Sequence, residues 1–174
     1  MAFAHKGFLL SGIVAAALIA GAPAFAATVQ DGAHEASGAL PVDSNSCTLT
    51  GMAYSESTDL QKTGSRHYKD VTGTSVSFTQ GMTSCVEVSF SAEAATTPGE
   101  ILITQVLLDD STPCEPGDNE FASDSPTNDL ADHAMNYICP AVAAGAHSVK
   151  VQFRSRYGST VALDYRTTVV QFAK

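Results

Sequence analysis

The chain has 174 residues, and its 18 acidic side chains outnumber its nine lysines and arginines, which gives a net charge of −9 with histidine neutral. This charge excludes the usual nucleic-acid-binding and anionic-membrane-binding proteins, because contacts with phosphate groups need Lys and Arg. It is compatible with a cationic partner or with a divalent metal ion.

The first 26 residues have the three-part pattern of a secretory signal peptide. Lys6 makes the start basic, residues 8–20 are an apolar run, and residues 24–26 form an A-x-A cleavage site. The apolar run is shorter than the roughly 20 residues of a membrane-spanning helix, which disfavours an uncleaved anchor. We therefore predict that the mature chain begins at Ala27, is exported to the periplasm or the extracellular medium, and is not inserted in a membrane.

The 148 residues after the cleavage site correspond to one domain with a short lead-in. Lys6 is the only charged residue removed, so eight basic and 18 acidic side chains remain, with a net charge of −10. Residues 27–46 are rich in Ala, Gly, Ser and Asp and have no apolar period, which predicts a flexible segment. The domain itself is predicted over residues 47–174.

Apolar and polar residues alternate through most of this domain, for example in residues 86–91 and 149–154. Period two predicts strands with one buried and one exposed face. Residues 101–108 are apolar on both faces, which predicts a central strand covered on both sides or one at an intermolecular interface. The pattern predicts about eight strands, near residues 48–54, 66–71, 74–79, 85–92, 101–108, 133–139, 147–154 and 160–172.

The last of these runs gives a prediction about individual side chains. Leu163 and Tyr165 alternate with Asp164 and Arg166, which places Tyr165 on the buried face and Arg166 on the exposed face unless the strand is bent or split. Many short strands at regular spacing predict an all-β fold, an antiparallel β-sandwich of jelly-roll type.

The four cysteines, Cys47, Cys85, Cys114 and Cys139, all lie in the predicted domain. An exported chain meets an oxidising environment, so two disulfides are expected. Of the three pairings that four cysteines allow, we favour Cys47–Cys85 with Cys114–Cys139, because each pair joins neighbouring segments. The absence of C-x-x-C disfavours a redox enzyme and a zinc ribbon.

The C-terminal half of the sequence shows a family resemblance. Residues 144–155, AGAHSVKVQFRS, continue into GSTV at 158–161 and RTTV at 166–169, and residues 85–93 read CVEVSFSAE. These segments resemble the closing hairpin of small exported bacterial β-sandwich domains with jelly-roll character, loosely similar to the C1q/TNF group. The resemblance covers about residues 85–172 and implies the fold. It carries over no catalytic residues, and a trimer follows from it only by analogy.

Residues 109–132 contain many carboxylates and no Lys or Arg. This stretch is long for a connection, and long connections are often functional or disordered. Calcium takes six to eight oxygen ligands, so one hypothesis is a calcium site; the alternative is a solvated acidic loop held by Cys114. The spacing does not match an EF-hand. The candidate ligands are Asp109, Asp110, Asp118 and Glu120.

Two histidines and one basic strip complete the candidate sites. His147, at a strand start, is expected to bond a backbone group, and His133 in the acidic stretch is the better metal-ligand candidate. A basic strip on the predicted strand consists of Lys150, Gln152, Arg154 and Arg156. It is either a solvated strand face or an interface that meets the acidic stretch of another subunit in a homo-oligomer.

We expect a non-enzymatic exported module that binds a protein or glycan ligand. The alternatives are a small secreted hydrolase, with carboxylate or Ser/His chemistry, and a structural component of a cell-envelope or extracellular assembly. No catalytic residue is assigned and no cofactor other than calcium is considered. A concave pocket with convergent polar groups would favour an enzyme, whereas a flat apolar patch would favour assembly.

Overall fold

The computed structural model describes residues 47–123 and 129–174, which form an all-β fold. The predicted signal peptide and flexible segment lie outside these residues. Within the described residues, no helix has the length and apolar character needed to cross a membrane. The eleven described strands are β1 (Gly51–Ser57), β2 (Gln61–Thr63), β3 (Lys69–Asp70), β4 (Val76–Gln80), β5 (Ser84–Thr96), β6 (Ile101–Leu108), β7 (Thr112–Pro113), β8 (Asn119–Ser123), β9 (Ala131–Val142), β10 (Gly145–Ser155) and β11 (Val161–Phe172).

The strands form two antiparallel sheets, which confirms the predicted sandwich. Sheet A has the order β1-β11-β5-β9, and β2 also pairs with β11. Sheet B has the order β3-β10-β6-β7. In addition, β4 pairs with β10, and β8 pairs with β6. The alternation in the sequence sends every second side chain of the long strands into one core, where Phe90, Val151, Phe153 and Leu163 are fully buried.

A buried hydrogen bond joins the two sheets inside this core. The hydroxyls of Thr104 on β6 and Tyr137 on β9 are 2.5 Å apart, and both side chains are fully buried. Burial raises the pKa of Tyr137 to about 12, so the phenol stays neutral and can share this bond. The bond satisfies two polar groups that would be costly to bury alone.

The disulfides have the pairing that the sequence favoured. Cys47, ahead of β1, is bonded to Cys85 on β5, and Cys114 is bonded to Cys139 on β9. The second bridge fastens the β7–β8 connection to sheet A. Two disulfides indicate a protein that works outside the reducing cytoplasm.

Each predicted strand overlaps an observed one, but the connection predicted over residues 109–132 is wrong in part. It contains β7 and β8, both of which pair with β6, and its last residues begin β9. These strands are short and polar, so they lack the alternation that predicts a strand. Because of them, Asp109, Asp110, Asp118 and Glu120 are held beside sheet B.

The predicted orientation of Tyr165 and Arg166 is also wrong. The register of β11 against β5 shifts between Asp164 and Thr167, and Tyr165 has a left-handed φ of 37°. This bulge inverts the alternation, as an extra residue in one strand must. Tyr165 is therefore 61% exposed, whereas Arg166 is 1% exposed.

Candidate functional site

The acidic residues proposed as calcium ligands lie along one side of sheet B. Asp109 and Asp110 form the turn after β6, both with left-handed φ, whereas Asp118 precedes β8 and Glu120 lies on it. Among the described residues, no three His, Cys, Asp or Glu side chains are grouped so that they could share a metal ion. The calcium site therefore stays a prediction that the arrangement of these four residues does not support.

Three of these carboxylates, those of Asp109, Asp110 and Asp118, instead bind groups on β10. Asp70, on β3, joins Asp110 in one network. The amino group of Lys150 lies 2.9 Å from Asp110 and 3.2 Å from Asp70, and the amide of Gln152 donates to Asp70 at 2.6 Å. The bond from Gln152 is the main reason that the pKa of Asp70 is lowered. Gln105 on β6 extends this network by donating to Gln152 at 2.7 Å.

Asp118 is the centre of a second network. One terminal nitrogen of Arg154 donates to both of its carboxylate oxygens, at 3.0 and 2.8 Å, and the hydroxyl of Tyr68 donates to it as well. Arg154 also lies over the Tyr68 ring, 5.3 Å from its centroid. Burial opposes the negative charge, but these two donors prevail and lower the pKa of Asp118.

These networks cover the apolar residues on the outer side of β6. Ile103 and Leu107 point away from the core, yet they are only 4% and 9% exposed. Arg154 lies in register with Ile103, and Lys150 lies in register with Leu107. The methylene stems of long cations can shield apolar surface while their charged ends pair. The basic strip and the acidic stretch thus meet within one chain.

His147 has a structural role, with its ring bonded to the backbone as expected. Its Nε2 lies 3.0 Å from the carbonyl oxygen of Ala143, and its Nδ1 lies 2.8 Å from the Asp109 carboxylate, which also accepts from the Ser148 N–H. Both nitrogens are engaged, so the ring has no free position for a metal ion or a nucleophile's proton. Burial disfavours the Asp109 charge, but its donors lower the pKa of Asp109.

An open depression of about 430 Å³ adjoins His147 and Asp109, next to β4. Ser77, Thr79 and Ser148 also line it. The other histidine proposed from the sequence, His133, packs on Phe121 with 5.6 Å between ring centroids. His147, with both ring nitrogens engaged, therefore lacks the free nitrogen that a catalytic base needs.

Two buried ionic residues were not predicted as special from the sequence. Glu100, in the β5–β6 turn, is 1% exposed, and its carboxylate accepts the N–H groups of Ile101, Tyr157 and Ser159 at 2.7–2.9 Å. Burial opposes the charge, but the three backbone donors outweigh it and lower the pKa of Glu100 to about 2. Glu100 therefore holds the turn between β10 and β11.

Arg166 is the second such residue. Its guanidinium donates to the carbonyl oxygens of Thr72, Asp59 and Leu163 and to the hydroxyl of Ser57. Burial lowers its pKa. These bonds join the β1–β2 and β3–β4 connections to the bulge of β11. Only the bulge brings this side chain inward, so the alternating sequence gave no signal of it.

The outer face of sheet A has a different composition from that of sheet B. Its middle carries hydroxyl, amide and small apolar groups, and exposed tyrosines stand on β1 and at the β11 bulge. Ser89 donates to the Asn136 amide oxygen at 2.8 Å. Its outward residues include Met52, Tyr54 and Glu56 on β1, Asp164, Tyr165, Thr167, Val169 and Gln171 on β11, Glu87, Ser89, Ser91 and Glu93 on β5, and Asp132, Ala134, Asn136 and Ile138 on β9.

One end of this face carries a row of three carboxylates. Asp164 lies in register with Glu93, and Glu93 lies in register with Asp132. The described part of the chain provides none of them with a salt bridge. Beyond the row is a shallow groove of about 220 Å³, with Ala95 and Ala162 in its floor and Lys62 and threonines around it.

No family model matches the sequence, and no curated protein matches it. Solved structures similar to it include a family GH115 4-O-methyl-α-glucuronidase with specificity for decorated arabinogalactans (15% identity, TM-score 0.39) and dimeric latent PorU from Porphyromonas gingivalis (15% identity, TM-score 0.38). The matches cover 70% and 75% of this chain and 14% of each of those chains. The chain thus spans a small part of each, and the likeness identifies no family.

Proposed function

We propose that this protein is an exported, non-enzymatic binding module, and that the outer face of sheet A binds a neutral, hydroxyl-rich chain such as a polysaccharide. The observation that carries the proposal is the contrast between the two outer faces. On sheet B the charged groups bind one another, whereas sheet A exposes tyrosines, hydroxyls and an amide that have capacity left for a ligand.

The chemistry of the sheet A face favours an uncharged ligand. Hydroxyl and amide groups such as those of Thr167, Ser91 and Asn136 both donate and accept hydrogen bonds. The exposed rings of Tyr54 and Tyr165 offer flat apolar surface with a polar tip. The outward residues of β1, β11, β5 and β9 include no Lys or Arg, and the carboxylate row would repel an anion. The exposed lysine of sheet A, Lys62, stands apart on β2, at the groove beyond the row.

An enzymatic role has less support from the described residues. Both ring nitrogens of His147 are engaged, and the Glu100 carboxylate is buried against backbone N–H groups. Asp118 and Asp109 are bound by Arg154 and His147. A hydrolase needs an acid or base within hydrogen-bond reach of its substrate, and these four groups are occupied by structural partners. The carboxylate row on sheet A has no salt bridge within the described residues, so release of soluble sugar is one of the outcomes tested below.

The proposal is tested by retention on neutral polysaccharides. Purified protein is passed over insoluble cellulose, chitin and β-1,3-glucan, and the bound fraction is measured with Tyr165→Asn and Asn136→Ala variants. Asn is chosen because it tolerates the left-handed backbone at position 165. Retention on one polysaccharide that either variant weakens about fivefold or more would support the proposal, since stacking and hydrogen bonds each contribute about 1 kcal/mol.

Tyr157→Ala is the matched control, because Tyr157 is a similarly exposed tyrosine in the β10–β11 turn. It should bind like the wild type. Three results would overturn the proposal: no retention on any polysaccharide, equal loss in the control, or release of soluble sugar. A fourth result would also overturn it: binding to a basic protein that is lost in 0.5 M salt. Charge attraction is screened at that salt, whereas binding of a neutral ligand does not depend on charge.

A further inference from the structure

We propose that β1 is a dimerisation edge, along which a second copy of this chain pairs its own β1 in the antiparallel direction. The inference goes beyond the proposed function and does not rest on it. It would join two copies of sheet A into one continuous sheet and set their outer faces side by side.

The first observation is the regularity of β1. It pairs with β11 through seven consecutive residues, from Gly51 opposite Phe172 to Ser57 opposite Arg166, without a register shift. On its other side, no strand of the described residues pairs with it. Such an edge presents a row of N–H and C=O groups that can form a ladder with another strand.

β1 shares its edge of sheet A with β2, which pairs with β11 on the other side of the bulge. β1 is nevertheless an unbroken run of seven paired residues, whereas the other sheet edges are interrupted or made of shorter strands. The β9 edge has a bridge between Ile138 and Glu115, and it is interrupted by Pro140 and the left-handed Ala141. In sheet B, one edge is divided between β3 and β4, and the other between β7 and β8, with a register shift in β6. Short strands, prolines and bulges are the devices that block edge pairing. β1 reads GMAYSES and contains no proline, lysine or bulge.

The sequence of β1 is complementary to itself in one register. Opposite residues of antiparallel strands share a face, and the register that pairs all seven residues has its twofold axis at Tyr54. It places Tyr54 opposite the second copy's Tyr54, and Met52 opposite the second copy's Glu56. Aromatic pairs in this position are favourable. Glu56 is the only charged residue of β1, and in this register it does not face a like charge.

This complementarity is the reason for choosing a second copy as the occupant. The two outward apolar side chains of β1, Met52 and Tyr54, are 67% and 65% exposed, and both gain contacts in this register. On the inner side, Ala53 meets the second copy's Ser55, and both are small enough for the sheet to continue. The twofold axis closes the assembly at two chains, because each copy has used its β1 edge.

The test is the mass of the purified, oxidised protein, measured by sedimentation and light scattering over a range of concentrations. We expect twice the mass of one chain for the wild type, and a single-chain mass for Tyr54→Lys, because two lysines would then face each other across the axis. Tyr157→Lys, a change of the same kind in the β10–β11 turn, should leave the dimer intact. Thermal melts show that each variant is folded, which is expected because both positions are exposed.

A second variant tests the register itself. Met52→Lys would place each new lysine opposite the second copy's Glu56, so we expect it to keep the dimer and to make its dissociation constant rise with salt. If Met52→Lys dissociates the dimer as Tyr54→Lys does, the register is wrong and the proposal is overturned. A single-chain mass of the wild type at every concentration up to ~100 μM overturns it too, because a dimer with a dissociation constant of about 1 μM would be well populated there. So does a dimer that Tyr54→Lys leaves unchanged. None of these results depends on polysaccharide binding.

Discussion

The outer faces of sheets A and B differ in where their charged groups find partners. On sheet B, Lys150 and Arg154 each lie within 3.2 Å of carboxylates from the same face. On sheet A, Asp164, Glu93 and Asp132 lie in one row and form no salt bridge within the described residues. The nearest cations act at a distance: the buried Arg166 interacts with Asp164 through its charge, and Lys62 stands at the adjoining groove. The negative charge of the chain is therefore uneven. A net charge read from composition does not show which face carries the excess, and here that face is the one proposed to bind.

The largest expected effect is on the free energy of unfolding, and it concerns Arg166, which is buried under the outer face of sheet A. Arg166→Met should lower the free energy of unfolding by about 4 kcal/mol, because it removes the buried guanidinium that donates to one buried and three part-buried acceptors. The measurement is denaturant unfolding. This change would also loosen the bulge that turns Tyr165 outward, so the face depends on it.

Arg156→Met is the control for this prediction. Arg156 is exposed and lies over the Tyr157 ring, 5.7 Å from its centroid. Its replacement should change the unfolding free energy by no more than about 0.5 kcal/mol. If Arg166→Met had an equally small effect, the buried network would not be what holds the bulge.

The second prediction concerns Glu100, in a turn that connects the two sheets and so supports both faces. Glu100→Gln should cost on the order of 3 kcal/mol at neutral pH, because an amide replaces a carboxylate whose pKa folding lowers from 4.5 to about 2. A group with a lowered pKa stabilises the fold above its unfolded value. That contribution is lost as the pH falls from about 4.5 towards 2.

The measurement for Glu100 is the unfolding free energy of both proteins at pH 6 and at pH 3. The difference between wild type and Glu100→Gln should be largest at pH 6 and should shrink at pH 3. A difference that is the same at both values would mean that the lost stability comes from packing and not from the carboxylate charge.

The third prediction tests whether the sheet B face is self-sufficient. Asp118→Asn should destabilise the fold by less than about 1 kcal/mol, because the pair with Arg154 is largely exposed on the Asp118 side and is weakened by solvent. A double-mutant cycle with Arg154→Gln gives the coupling energy, which should fall when salt is added. A coupling near zero at low salt would contradict the proposed pairing.

The smallest expected effect is a gain in folding stability, and it tests most directly whether the charges on sheet A lack partners. Glu93→Gln removes the middle charge of the row on sheet A, so it should stabilise the fold by about 0.3 kcal/mol, since like charges directly opposite each other are unfavourable. Glu87→Gln is the control, because its register neighbours, Gln171 and Ile138, are uncharged. A loss of stability in Glu93→Gln would show that the row has a counter-charge.

The alternating pattern was sufficient for the sandwich and its long strands. Strands such as β5 and β10 bury every second residue, and the sequence shows this as an alternation of apolar and polar residues. Strands β2, β7 and β8 were not predicted, because two or three paired residues, or a polar strand at an edge, need no such alternation. The disulfide pairing followed from the proximity of the segments that each bridge joins.

The candidate site was less predictable, because its parts depend on register. The sequence indicated both the basic strip and the acidic stretch, and it left open whether the strip is a solvated strand face or meets the acidic stretch of another subunit. Only the pairing of β7 and β8 with β6 brings Asp110 and Asp118 beside β10 in the same chain. The exposure of Tyr165 was missed because a bulge shifts the alternation, and no residue type in residues 161–172 marks the bulge.

The disulfide between Cys47 and Cys85 has a consequence for how the protein responds to a pull. A force applied to the chain before Cys47 passes through the bridge into β5, which lies inside sheet A between β11 and β9. The bridged segment, with a sequence separation of 38, carries β1 to β4 and is bypassed by the load. Without the bridge, this segment could extend by about 130 Å at roughly 3.4 Å per residue. An oxidised copy held by its N-terminal end would therefore bear tension covalently and keep β1 folded, whereas a reduced copy would peel from that edge.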